Sequence, residues 1–229
     1  MASSIPYHPD LITDRSIWIF DLDNTLYPAE SDLFAQIDVK MTEYIANHFQ
    51  IDKASAREKQ KHYLVTYGAT MRGLMENDGI DPHHFLENVH DIDFSPIQKD
   101  VLLREAIEKL PGRKLIYTNA DVTYTDNVLE RLGLLNLFEG VHDILASNLT
   151  PKPSIPAFDD FLSCYDIDPA KAVFFEDSIR NLIPAKKAGM GCVWIDTGCE
   201  WAGMEYQNDI AHAEIKLLSP WLQKFTDRL

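Results

Sequence analysis

The sequence predicts an α/β protein: a doubly wound parallel sheet with a small all-helical segment inserted after its first strand. Three observations carry this. The apolar run Ile17-Trp18-Ile19-Phe20 ends in Asp21-Leu22-Asp23-Asn24-Thr25-Leu26-Tyr27, as expected of a strand buried on both faces that opens into a polar loop. From residue 95 onward, strand-like and helix-like segments alternate, the pattern of a parallel sheet with right-handed crossovers. Between residues 29 and 94 the apolar period is helical and no convincing strand interrupts it. The expected division is a core of residues 1–28 and 95–229, with a helical cap of residues 29–94 lying over the sheet edge where a lid is useful.

The elements follow in order. Phe34, Ile37, Met41, Tyr44, Ile45 and His48 recur at helical spacing behind Ser31 or Asp32 as a cap. A second helix is expected over residues 57–75, and Asp81-Pro82 opens a third, with Asp as cap and Pro at the first position. Ser95-Pro96-Ile97-Gln98 reads as a capping box, starting a helix that ends at Pro111-Gly112. Residues 114–117 then form a strand, 124–132 a helix closed by Gly133, and 141–145 a strand. Residues 155–165 form a helix, 172–175 a strand, and 179–188 a helix with Gly189 in the left-handed capping position. Residues 193–195 are the last expected strand, and Ser219-Pro220 starts a final amphipathic helix. Trp18, Trp194, Phe174 and Phe175 are assigned to the core.

The chain has 229 residues, 45% hydrophobic and 25% charged, an ordinary composition for a globular protein. Its formal net charge of −15 argues against binding a nucleic acid polymer or an anionic membrane surface. A phosphate ligand must therefore be captured locally, by a metal, a lysine and backbone amides. No apolar run reaches the roughly 18 residues that suggest a membrane span. The first ten residues lack the basic start and apolar core of a signal peptide. Cys164, Cys192 and Cys199 are odd in number and have no metal-like spacing, so reduced cytosolic thiols are expected; the expected partners are a small-molecule phosphate ester and, at most, a second copy, the protein being a cytoplasmic monomer or homodimer.

In an extended chain, side chains at i and i+2 share a face, so Asp21 and Asp23 stand together at the strand's carboxyl end, where open α/β sheets place ligands. Carboxylates crowded there need a divalent cation or a retained proton. Three further signals follow other expected elements: Thr118-Asn119, Lys152 and Glu176-Asp177-Ser178. Phosphoryl transfer through an aspartyl phosphate needs this set. Asp21 is the expected nucleophile. Asp23 is the expected general acid and base, its pKa raised by like-charged neighbours. Asp21, Asp177 and a backbone carbonyl, that of Asp23, suit Mg²⁺, while Thr118 and Lys152 hold phosphate oxygens.

Taken in order, Asp21-Leu22-Asp23-Asn24-Thr25, Thr118-Asn119, Lys152-Pro153 and Glu176-Asp177-Ser178 resemble the four motifs of the haloacid dehalogenase superfamily. That resemblance implies a Mg²⁺-dependent phosphomonoesterase acting on a small phosphorylated metabolite, with the insert as its cap. More narrowly, residues 67–74 (Tyr67-Gly68-Ala69-Thr70-Met71-Arg72-Gly73-Leu74) and 89–93 (Val89-His90-Asp91-Ile92-Asp93), with residues 176–181, are similar to the pyrimidine 5′-nucleotidase-like branch. This implies a pyrimidine nucleoside 5′-monophosphate as substrate, contacted by Asn119, Tyr67 and Arg72. A sugar-phosphate or phosphoglycolate-type phosphatase and a phosphomutase remain alternatives on the same fold. Many relatives have Gly at the position of Glu176 and Asp at that of Asn181. Glu176 is therefore expected to act through metal-bound water, and Asn181 to orient rather than charge the site. Arg72 can equally serve as a helix-face partner for an acid, and His83, His84 and Glu87 read as a solvated helix face. His90, Asp91 and Asp93 mark the expected hinge between cap and core.

Overall fold

The computed structural model describes residues 12–199, 202–203 and 209–229. The start of the chain, read above for a leader, lies outside them. Strand β1 (Ile17–Phe20) is buried along its whole length. Helices α1 (Leu33–Phe49), α2 (Lys53–Tyr67), α3 (Thr70–Asp78) and α4 (Pro82–Val89) follow, then α5 (Val101–Lys109), with no strand among the described residues between β1 and α5. The chain then alternates through β2 (Arg113–Tyr117), α6 (Val122–Leu132), β3 (Gly140–His142), α7 (Ile155–Cys164) and β4 (Ala172–Glu176). It ends with α8 (Leu182–Ala188), β5 (Gly191–Ile195), β6 (Ala213–Ile215) and α9 (Leu218–Thr226).

All strand pairs are parallel, in the order β3-β2-β1-β4-β5-β6. Phe20 is in register with Ile116 on one side and Phe175 on the other, so β1, β2 and β4 end at one level. The chain order reverses at β1, and the crevice beyond its carboxyl end is the switch point where such sheets bind ligands. Alternation divides the apolar side chains between two faces. Trp18, Phe20, Ile116, Val173 and Phe175 pack on one, and Ile17, Ile19, Leu115 and Phe174 on the other. The first of these clusters continues into Ile37, Ile45, Tyr63, Leu74 and Phe85 of α1–α4, so the helical unit rests on the sheet's own apolar cluster.

Four expectations are corrected. The single helix over residues 57–75 is two, α2 and α3, parted at Gly68, whose φ of +82° caps α2 in the left-handed region. A Cβ on Gly68 would meet Pro153 Cδ at 3.4 Å and the Lys152 carbonyl oxygen at 3.5 Å, ordinary contacts that place this break beside the lysine loop. The box at Ser95 does not start a helix. Asp93 accepts the Ser95 amide at 2.9 Å in a local turn, and α5 is capped instead by Asp100, which accepts the Leu103 amide at 2.8 Å. β3 stops at His142, because the Asp143 carboxylate accepts the amides of Val122 and Ala146 and turns the chain. The helix expected from Ile179 opens as a 3₁₀ turn over Ile179–Asn181 before α8. The edge strand β6, three residues long, had no readable pattern.

Polar contacts hold the segment that leads from the helical unit back to the core. His90, the C-cap of α4, meets the Asp121 carboxylate at 2.6 Å. The Gln36 amide brackets Asp93, donating to its carbonyl at 2.8 Å and accepting its N–H at 3.1 Å.

Within the helical unit, α3 lies so close to α2 that a Cβ on Gly73 would sit 2.3 Å from Tyr63 Cγ, a ring atom next to the backbone rather than a yielding tip. Gly73→Ala should therefore lower stability by about 1–3 kcal/mol through overpacking, although alanine favours helix by roughly 1 kcal/mol. Urea denaturation measures this. A midpoint equal to or above wild type would show that the two helices separate without cost.

Candidate active site

The site lies where β1, β2 and β4 run out at the switch point. Asp21 follows β1 directly, and its amide bonds to the Phe175 carbonyl at 2.9 Å, which continues the ladder one residue past the strand. Asn24, at φ 56°, turns the chain sharply, and asparagine tolerates that left-handed position. Thr118 and Asn119 follow β2, and Asp177 follows Glu176, the last residue of β4.

Lys152 is the hub. It is 3% exposed, and its Nζ donates to Asp21 Oδ1 at 2.7 Å, to Glu176 Oε2 at 2.7 Å and to the Tyr117 carbonyl at 2.9 Å. All three ammonium protons are thus used. Burial works against the lysine's charge, but Asp21 and Glu176 outweigh it and hold the ammonium well above its ordinary pKa. Glu176 spends its other oxygen on the Ser178 amide at 3.1 Å. Asn119 grips the Lys152 main chain from both ends, accepting its N–H at 2.8 Å and donating to its carbonyl at 3.4 Å. Its side chain thus holds the lysine loop, while the residue also lines the cavity where its substrate contact was expected.

Three carboxylates face this one ammonium. Burial first, then the charge of Glu176, pushes the Asp21 carboxyl up to about 7 against the pull of Lys152. Burial, Glu176 and Asp21 raise Asp177 well above the usual carboxylate range. Oxygens of Asp21, Glu176 and Asp177 lie within 4.8 Å of one another, an arrangement that a hard divalent cation fits. Both Glu176 oxygens accept hydrogen bonds, from Lys152 and Ser178, and Asp21 likewise accepts Lys152 at Oδ1 and Thr25 at Oδ2, at 3.4 Å. Asn24 Nδ2 donates to Asp177 Oδ2 at 3.3 Å and the indole of Trp194 donates to the Asp177 carbonyl at 2.7 Å, which fixes that residue from both ends.

Asp23 is half-buried and its Oδ1 accepts two phenol hydroxyls, from Tyr27 at 2.5 Å and Tyr124 at 2.7 Å. Its carboxyl is raised above the ordinary value, but by burial rather than by the like charges expected, and both tyrosine hydrogen bonds pull the other way. Burial and the charge of Asp23 push both phenols well above their ordinary pKa, so they remain donors.

A cavity of about 530 Å³ opens above these groups and contacts Asp21, Asp23, Thr118, Asn119, Lys152, Asp177 and Asn181. Phe34, Met41, Leu64, Phe85 and Leu86 form its apolar wall on the helical side, beside Asp38, Arg57, Gln60 and Lys61. Asp38 binds Arg57, Lys61 and Gln60 together, so this cluster carries one surplus positive charge. Tyr67 and Arg72 do not line the cavity. Tyr67 donates to Asn77 at 3.0 Å, and Arg72 pairs with Glu76 one helical turn on and reaches Thr150 at 3.4 Å. Sequence reasoning missed Arg57 and Lys61, whose i, i+4 spacing was visible but whose cavity was not. It also missed Tyr124, which had no local signal, while Tyr27 stood unread two residues beyond the first motif.

This geometry defines an acidic, lysine-centred crevice at the switch point of a doubly wound α/β sheet. The chain belongs to the haloacid dehalogenase-like hydrolase family, whose model matches residues 18–195. Phosphate metabolism protein 8 of Saccharomyces cerevisiae is 26% identical over 209 residues, which is 82% of this chain but 64% of that protein. Validoxylamine A 7′-phosphate phosphatase of Streptomyces hygroscopicus subsp. limoneus is 29% identical over 83 residues, 36% of this chain and 38% of that one. The chain thus spans less than two thirds of either relative. Among solved structures, the HAD phosphatase of Thermococcus onnurineus superposes with a TM-score of 0.60 at 20% identity, covering 91% of this chain and 96% of that one. It shares the fold.

Mg²⁺ should stabilise the protein in a pH-dependent way. The folded-state pKa values of Asp21 and Asp177 lie above their unfolded values, so between about pH 4 and pH 7 the folded state holds more protons and this contribution to stability falls as pH rises. A cation removes that penalty. The Tm increment from Mg²⁺ should be larger at about pH 8 than at about pH 5 and should be lost in Asp177→Asn. An increment equal at both pH values, or retained in that variant, would contradict this assignment.

Proposed function

We propose that this protein is a Mg²⁺-dependent phosphomonoesterase that works through an aspartyl phosphate on Asp21. The observation that carries the reading is the pairing of Asp21 with Lys152 at 2.7 Å in a crevice that Asp23 also lines. Lys152 favours the anionic form of Asp21 that attacks phosphorus, against burial and Glu176, and offsets charge on the phosphate oxygens. Thr118 Oγ1 accepts the Ala120 amide at 3.1 Å, leaving its proton for a phosphate oxygen. Asp23 protonates the departing alkoxide and later takes a proton from the attacking water. Asp21, Asp177 and the Asp23 carbonyl would hold Mg²⁺, which would screen the carboxylates and supply Lewis-acid chemistry to the phosphate. Glu176 holds Lys152 in place and Asn181 orients the cavity wall. The phosphatase names of the relatives are consistent with this reading.

The substrate we propose is a pyrimidine nucleoside 5′-monophosphate. Support comes from the sequence resemblance, a cavity of about 530 Å³ with an apolar wall for a base, and the polar groups of Arg57, Gln60 and Lys61 beside that wall. Arg72, which the sequence favoured for this contact, faces Glu76 instead.

The test is phosphate release from a panel of monoesters with Mg²⁺, where a rearranged ester in place of free phosphate would indicate a mutase. Asp21→Asn should abolish turnover while the fold survives, and substantial activity in the folded variant would end the covalent reading. Arg57→Ala should lower kcat/KM for uridine or cytidine monophosphate by roughly tenfold or more relative to nitrophenyl phosphate. Arg72→Ala should leave that ratio near wild type. The reverse ranking would move substrate recognition from α2 to α3.

A further inference from the structure

Asp23 does not reach the cavity with two equivalent oxygens. Tyr27 and Tyr124, both nearly solvent-inaccessible, converge on Oδ1, and their own hydroxyls lie 3.2 Å apart. Neither hydroxyl is placed by Asp23 alone. Tyr27 stands four residues on, in the turn that carries the aspartate, while Tyr124 comes from α6, 101 positions away in sequence. The Tyr124 ring is stacked on His90, with centroids 4.4 Å apart and planes 22° apart, and meets Phe94 at 5.7 Å. Its amide is held by Asp121, the same side chain that receives His90. Packing thus sets both donors before any substrate arrives.

We propose that Tyr27 and Tyr124 are positioning residues that occupy Asp23 Oδ1 and so commit proton transfer to Oδ2, the oxygen they leave for the cavity. The assignment rests on the phosphomonoesterase reading. In the first half-reaction the bond from Asp21 to phosphorus forms as the bond to the leaving oxygen breaks. The electron pair of the broken bond stays on that oxygen, which takes the proton from Asp23 Oδ2. A carboxyl that turns freely places its proton on either oxygen and in several directions. One clamped by two donors at Oδ1 presents a single oxygen in a single orientation, the form in which positioning contributes to rate.

The test is a comparison within each enzyme preparation. Tyr27→Phe, Tyr124→Phe and the double variant keep both rings and delete only the hydroxyls. Turnover is measured on a primary alkyl phosphate, whose leaving alkoxide needs a proton, and on nitrophenyl phosphate, whose leaving group needs little help. The ratio of kcat values is independent of the fraction folded, so a merely structural role cannot move it. Each single variant should lose roughly fivefold or more on the alkyl ester relative to the aryl ester, and the double variant more. Equal losses on both substrates, or an unchanged ratio in the double variant, would overturn the positioning role while wild-type phosphate release still upholds the phosphatase reading. Wild-type protein that releases phosphate from neither ester would overturn both.

Discussion

One buried lysine facing three buried carboxylates is the constraint on which this structure depends. Separating any of these charges from its partners inside the protein costs several kcal/mol, so the surroundings must hold the Lys152 ammonium within bonding distance of Asp21, Glu176 and the Tyr117 carbonyl. The rigid part is the sheet. Parallel pairing of β1 with β2 and β4 brings Asp21, Tyr117 and Glu176 to one edge, and apolar strands buried on both faces leave that edge no room to slide. The lysine itself arrives on a loop, and Asn119 fixes that loop by clasping the Lys152 main chain. The negative charge left over is the feature that makes a divalent cation fit.

The core was legible because its chemistry sits next to its strands. Each motif residue of β1, β2 and β4 stands within a few positions of an apolar run, so order and spacing were enough to place it. Elements bounded by local side-chain bonds were harder. Asp93 and Asp143 each redirect the chain by accepting backbone amides, which ended or delayed elements that periodicity alone extended. The break between α2 and α3 falls at Gly68, a left-handed C-cap inside an apolar period that otherwise runs on. β6 is three residues long, too short for any period to register.

The helical insert was the least legible part. Which side of α2 or α3 meets the cavity depends on packing against α1 and the sheet, not on the helix's own sequence. Arg72 and Arg57 look alike as helix-borne arginines, yet only Arg57 lines the cavity. The fold leaves substrate choice open, since one scaffold supports different chemistries through the residues around its crevice. Here charged and apolar groups of α1, α2 and α4 line the cavity, while the sheet edge carries Asp21, Glu176 and Asp177.

The central claim is that phosphorus passes through a covalent bond to Asp21. The stereochemical course at phosphorus tests it most directly. A monoester made chiral at phosphorus with sulfur and oxygen isotopes is hydrolysed in isotopically labelled water, and the configuration of the released thiophosphate is determined. Two successive in-line displacements, first by Asp21 and then by water, predict net retention. Net inversion would show a single attack by water on the ester and would contradict the account.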